Sequence, residues 1–162
     1  MRIVPRLFRF LATVWIGGQL TIGYAVAPVL FATLDRATAG AVAAQMFRIE
    51  GIIGLVCAVL MLIIANARVR AGELDYRRLR GLVAGMLACV LVGYFALQPF
   101  MNAIRLAAQA AGTDVANSPD AARFGMLHGA SSLFYLIESV LGLWLVWILP
   151  APAASREAAA RR

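Results

Sequence analysis

The sequence predicts an all-α integral membrane protein, a four-helix bundle, and three observations carry that reading. Its 162 residues are 62% hydrophobic and 14% charged, with mean hydropathy +0.82. Soluble domains run at about half apolar and about a quarter charged, and a small fold has too little interior to hide the excess. The charges fall so that four long stretches are nearly silent: 10–34, 51–67, 81–104 and 124–149. None of these runs sustains the period-two alternation of a half-buried strand.

The first span is 10–34. Its lead-in Arg2, Arg6, Arg9 and the later Ala25-Val26-Ala27 imitate a secretory leader and its cleavage site. The apolar run is too long for a leader, however, and Pro28 would follow the cut. A transmembrane helix is the expectation. The second charge-free run is short against the about 20 residues that a ~30 Å hydrocarbon core requires. An apolar lead-in past Arg48 and Glu50 extends it to 43–67. The third span is 81–104. The fourth, 124–149, is broken once, by Glu138. Ser118-Pro119-Asp120 suggests that its helix starts earlier, with Ser118 as N-cap and Pro119 at the first position. Residues 1–149 form one domain on this reading, and 150–162 a basic cytoplasmic tail.

All 15 basic residues are Arg, and their distribution sets the orientation. Eleven lie on one side of the expected membrane: Arg2, Arg6 and Arg9, the five between Arg68 and Arg80, and Arg156, Arg161 and Arg162. Four lie on the other: Arg36, Arg48, Arg105 and Arg123. The positive-inside rule places both termini in the cytoplasm, as an even number of spans requires. The net charge of +7 is then explained by topology and by contact with anionic lipid. Too little polar surface remains for a nucleic-acid groove. The expected location is the cytoplasmic (inner) membrane and the expected partner the lipid bilayer. A homo-oligomer is compatible with these surfaces.

Two hairpins share a weak repeat. Gly23-Tyr24 before Pro28 in the first helix matches Gly93-Tyr94 before Pro99 in the third. Phe47 with Glu50-Gly51 in the second matches Phe124 with His128-Gly129 in the fourth. Such parallel repeats occur in membrane folds.

Candidate chemistry concentrates in the fourth helix, where His128, Ser131, Tyr135, Glu138 and Gly142 share one face. Glu138 lies near mid-span, where a carboxylate costs several kcal/mol. It either holds helices in register by bonding Tyr24, Tyr94 or Gln19, or carries a proton or ligand. Glu50, Gln98, Asn102 and His128 sit near the outer ends and would line a cleft for a small ligand. Met46, Met101 and Met126 with His128 offer soft donors for Cu(I), although Met is also ordinary filler. Gly81, Gly85, Cys89 and Gly93 make a seam of small residues for close helix approach. Cys57 and Cys89 are expected as packing residues. No nucleophile elbow, phosphate loop or zinc spacing is present, so no catalytic residue is assigned and a non-enzymatic role is favoured.

The segment Phe124-x-x-x-His128-Gly129-x-Ser131-Ser132-Leu133-x-x-Leu136 resembles the fourth-helix motif of the transmembrane-protein-205-like family, a domain of unknown function. Ala27-Pro28-Val29-Leu30-Phe31, then Leu34, Ala39-Gly40 and Met46-Phe47, is similar to that family's first hairpin, and Gln98-Pro99-x-Met101 also fits. The resemblance spans roughly residues 10–140 and implies a four-helix membrane protein without an established activity. Trp15-Ile16-Gly17-Gly18 followed by Pro28-x-Leu30-Phe31 is similar, more distantly, to copper-resistance D proteins and HemJ-type oxidases. That likeness implies a haem- or copper-handling oxidoreductase as the alternative function. Those families carry a His about seven residues before the Trp, where this chain has Phe8. A single His rules out bis-His haem ligation within one chain. A membrane scaffold or assembly partner is the third reading.

Overall fold

The computed structural model describes residues 3–149; the expected 150–162 tail lies outside them. Four helices are long and apolar enough to cross a membrane: α1 Ile3–Thr33, α2 Arg36–Arg70, α3 Asp75–Ala110 and α4 Ala121–Ile148. All are longer than the charge-free runs. The largest extension is in α2, which continues through Arg48 and Glu50 to Asp35. The Asp35 carboxylate accepts from the backbone N–H groups of Ala37 and Thr38, at 3.1 and 3.0 Å. These are two of the donors that a helix start leaves unsatisfied.

The two ends that turn into loops use the same device. Gly72 (φ +87°) follows α2 and Gly112 (φ +68°) follows α3. Each lets the next residue donate back to the helix, Glu73 N–H to the Arg68 carbonyl and Thr113 N–H to the Ala108 carbonyl, both 3.0 Å. Only glycine adopts this left-handed geometry cheaply.

The start of α4 differs from the sequence expectation. Its N-cap is Asp120, and Ser118 instead closes a 3-10 turn at Val115–Asn117. The Ser118 hydroxyl donates to the Val115 carbonyl at 2.8 Å, so it is engaged upstream and cannot cap.

Two helices contain a π-helical segment, Ile22–Val26 in α1 and Leu91–Leu97 in α3. The cause is local. Pro28 and Pro99 each lack an N–H and collide with the carbonyl four residues back, which belongs to Tyr24 and to Phe95. A wider turn absorbs the collision and keeps the helix running. Both Gly-Tyr pairs fall inside these segments.

Each helix packs on its neighbours in sequence, and α4 closes the ring on α1. The apolar core fills one end. It is built from Phe8, Trp15 and Ile16 of α1, Ala58 and Met61 of α2, Leu79, Val83 and Met86 of α3, and Leu145 of α4. The small-residue seam of α3 works from Gly85 upward: a Cβ there would lie 3.2 Å from Leu141, and one on Gly93 3.6 Å from Phe134. Gly81 faces open space. Cys57 and Cys89 are buried free thiols.

Candidate functional site

A layer of polar side chains caps the apolar core near the middle of the bundle. Trp15 begins it. Its indole lies against Gly54 of α2, where a Cβ would be 2.6 Å from Nε1. The indole N–H donates to Glu138 Oε1 of α4 at 3.2 Å. One turn further along α1, the Gln19 amide donates to Ser139 Oγ at 3.2 Å and to the Tyr135 carbonyl at 3.5 Å. Tyr24 donates to the same Ser139 oxygen at 3.1 Å, and Ser139 donates to the Tyr135 carbonyl at 2.8 Å. The Tyr135 hydroxyl returns the connection by donating to the Gln19 carbonyl. Its ring occupies the space over Gly23, where any Cβ would overlap it. α1 and α4 are thus joined by six side chains and two backbone carbonyls.

The layer extends to α2 and α3. Phe47 meets the Tyr135 ring edge-on, centroids 5.4 Å apart, and Tyr94 lies over Gly51, where a Cβ would be 2.9 Å from the ring. Between them Glu50 is only 7% exposed. Its carboxyl is close enough to Tyr135 and Glu138 to act on both electrostatically. Glu138 stands on α4, diagonally across the ring of helices from α2, and is 3% exposed. Two acceptor atoms at this level are buried without a hydrogen-bond partner among the described residues, Glu50 Oε1 and Gln19 Oε1. Buried polar atoms are nearly always paired.

The expected stripe on α4 faces inward over most of its length. Ser131 approaches Gly93, Tyr135 lies over Gly23, Glu138 bonds Trp15, and Gly142 packs on Ile16 and Met86. His128 is exposed and stacks on Phe124, ring planes 6° apart. At the end of the bundle where α1 turns into α2, Asn102 accepts from Arg105 at 2.5 Å, and Arg105 also donates to the Gly40 carbonyl at 2.9 Å. Arg105 thereby ties the end of α3 to the start of α2, with Asn102 holding its guanidinium from within α3; Gln98 is half-buried nearby in sequence. Met101 is buried, Met46 half-buried and Met126 71% exposed. No group of three or more His, Cys, Asp or Glu is placed to hold a metal among the described residues.

Sequence reasoning missed Trp15 and Ser139 as members of the layer and gave Glu138 a different partner. An indole N–H only donates, so a buried Trp needs an acceptor within reach. That rule, applied to Trp15 at mid-helix, points to a carboxylate. Ser139 had only its position beside Glu138 to mark it.

No curated protein and no solved structure matches the chain. A family model described as a domain of unknown function, DUF4149, matches residues 10–110. The match covers most of α1, all of α2 and α3, and with them Trp15, Gln19, Tyr24, Glu50 and Tyr94. It ends before α4, so the His128 motif lies outside it. With more than half of its length matched, and four apolar helices of the right length, the chain is a multi-pass membrane protein belonging to the DUF4149 family.

Proposed function

We propose that the protein is a non-enzymatic component of the cytoplasmic membrane that binds or passes a small hydrogen-bond-donating ligand at its mid-bundle polar layer. The observation that carries this reading is the Glu50 carboxyl of α2, buried with one oxygen unpartnered among the described residues. Leaving a buried acceptor unpaired costs about 1–3 kcal/mol. The second orphan, Gln19 Oε1, is also an acceptor, so a ligand that completes the layer brings donors. Tyr24, 52% exposed at its edge, Ser131 and Tyr94 stand on the approach. Gln98, Asn102 and His128 belong to the outer rim on this reading, with both termini on the cytoplasmic side. The shared Gly-Tyr π turns of α1 and α3 support the hairpin repeat.

Native mass spectrometry of the protein extracted in mild detergent tests the proposal. An additional bound mass is expected on the wild type and absent from Glu50→Leu. A bare wild-type chain would refute it.

The transmembrane-protein-205-like resemblance supports the same reading, since no reaction comes with it. The copper-resistance D likeness would supply a haem or copper oxidoreductase instead. The residues present do not fit that group: where those families carry a His, Phe8 is buried edge-on against Tyr76 at 5.6 Å in the apolar core.

A further inference from the structure

We infer that the arginine-rich end of the bundle holds a binding site for one anionic phospholipid, in the groove between the start of α3 and the end of α4. The groove encloses about 860 Å³ and is lined by Leu74, Asp75, Arg78, Gly81, Leu82 and Trp144 among others. Its composition is divided in the way a phospholipid is. Leu74, Leu82 and Trp144 present apolar surface suited to an acyl chain, and Trp is favoured where a membrane meets water. Gly81 has nothing within 4 Å of where its Cβ would stand, so the groove is open at its middle.

The polar rim carries the charge selection. Nearby, Arg68 is engaged with Glu73 at 2.8 Å, and Arg80 donates to Asn66 at 3.1 Å. Arg78 makes no hydrogen bond or ion pair among the described residues, and it faces the groove. A guanidinium without a protein partner matches a phosphate diester, which it can hold through two parallel N–H bonds. Asp75 on the same rim would oppose a bare anion. It suits a headgroup that also brings hydroxyl donors, as glycerol does. The described part of this end carries Arg6, Arg9, Arg68, Arg70, Arg77, Arg78 and Arg80 against Glu73 and Asp75, a field that concentrates anionic lipid.

The experiment compares phosphatidylglycerol with phosphatidylcholine in mixed micelles around the full-length protein, read by native mass spectrometry. The wild type should retain one phosphatidylglycerol in about fivefold preference, the worth of one Arg near an anionic surface. Arg78→Gln should lose that preference, Arg77→Gln should keep it, and Gly81→Leu should lose both lipids. Equal retention of the two lipids by the wild type would overturn the proposal. So would equal losses in Arg77→Gln and Arg78→Gln, which would show a diffuse field instead of a site. Inorganic phosphate should leave thermal stability unchanged; stabilisation matching that by phosphatidylglycerol would replace the lipid with a phosphate site.

Discussion

The two halves of the bundle are built differently, and the difference locates the candidate site. In the half that holds Ile3, Arg70, Asp75 and Ile148, large apolar side chains from all four helices close completely: Phe8, Trp15, Met61, Leu79, Met86 and Leu145 are sealed. In the other half α1 has no buried residue in Ile22–Val26 or Ala27–Thr33, and α3 has none in Leu91–Leu97. α4 buries nothing before Glu138. The remaining burial there is small, chiefly Ala39, Ala43, Met101, Ile104 and Ala108. The polar layer stands where one regime gives way to the other, and both π segments begin at that level or above it. A buried carboxyl in the sealed half would have no access, and one far into the open half would be solvated or at the interface. At the boundary it is desolvated and still approachable.

Trp15→Ala is the strongest way to break the contrast. Trp15 belongs to both structures, packing in the core and donating to Glu138. Truncating a buried aromatic costs about 3–5 kcal/mol, and the carboxyl loses its donor as well. Phe31→Ala, at a ring 52% exposed in the open half, should shift the thermal midpoint in detergent far less. Equal shifts would mean that the halves do not differ in packing.

Glu50→Leu sharpens the comparison with an opposite sign. If the orphaned carboxyl is retained for a ligand, removing it should stabilise the ligand-free protein by about 1–3 kcal/mol while the bound mass disappears. Function kept at a cost in stability is common at binding sites. A destabilised Glu50→Leu with normal helix content would instead make Glu50 a structural group. Glu138→Gln keeps an acceptor for Trp15 and should leave the fold unchanged.

Steric fit gives the next effect. At Gly54 an added Cβ meets the Trp15 indole at 2.6 Å, whereas at Gly40 it meets nothing within 4 Å. Overpacking a tight contact costs about 1–3 kcal/mol, so Gly54→Ala should lower the midpoint measurably. Gly40→Ala, in the far half, should be neutral or slightly stabilising, since alanine is the better helix former.

These contrasts also mark what could be read without coordinates. The four membrane helices follow from runs of uncharged residues, because the bilayer penalises charge strongly enough to write its thickness into the sequence. Glu138 was visible for the same reason, as the one acid in an otherwise silent span. Glu50 was legible as a candidate but not as a buried one. Its neighbours Arg48 and Asp35 suggest a helix end, and only the cap at Asp35 shows that α2 has already run several turns before it. The proximity of Glu50 to Glu138 joins residues far apart in the chain across a diagonal of the bundle, and no periodicity encodes that. The same holds for Trp15 and Ser139, whose roles depend on which helix faces which.

The smallest effect lies outside the membrane, at the junction between α1 and α2. Asp35 links the open half of α1 to α2 and caps the latter. The Thr38 side chain, then the Thr38 and Ala37 backbone N–H groups, hold its carboxyl below the ordinary aspartate value of 3.8. A group whose folded value is depressed stabilises the fold above its unfolded value, and loses that contribution as the pH falls through the folded one. The Asp35 cap should therefore contribute fully near neutrality and fade in acid below the ordinary aspartate range. Asp35→Ala should lower the thermal midpoint slightly at neutral pH and not at all once the carboxyl is protonated. The loss should be smaller than that of Gly54→Ala, because the fraying it permits is confined to the first turn of α2, in the half with little packing to lose. A midpoint difference that persists undiminished in acid would assign the effect of Asp35 to something other than its charge.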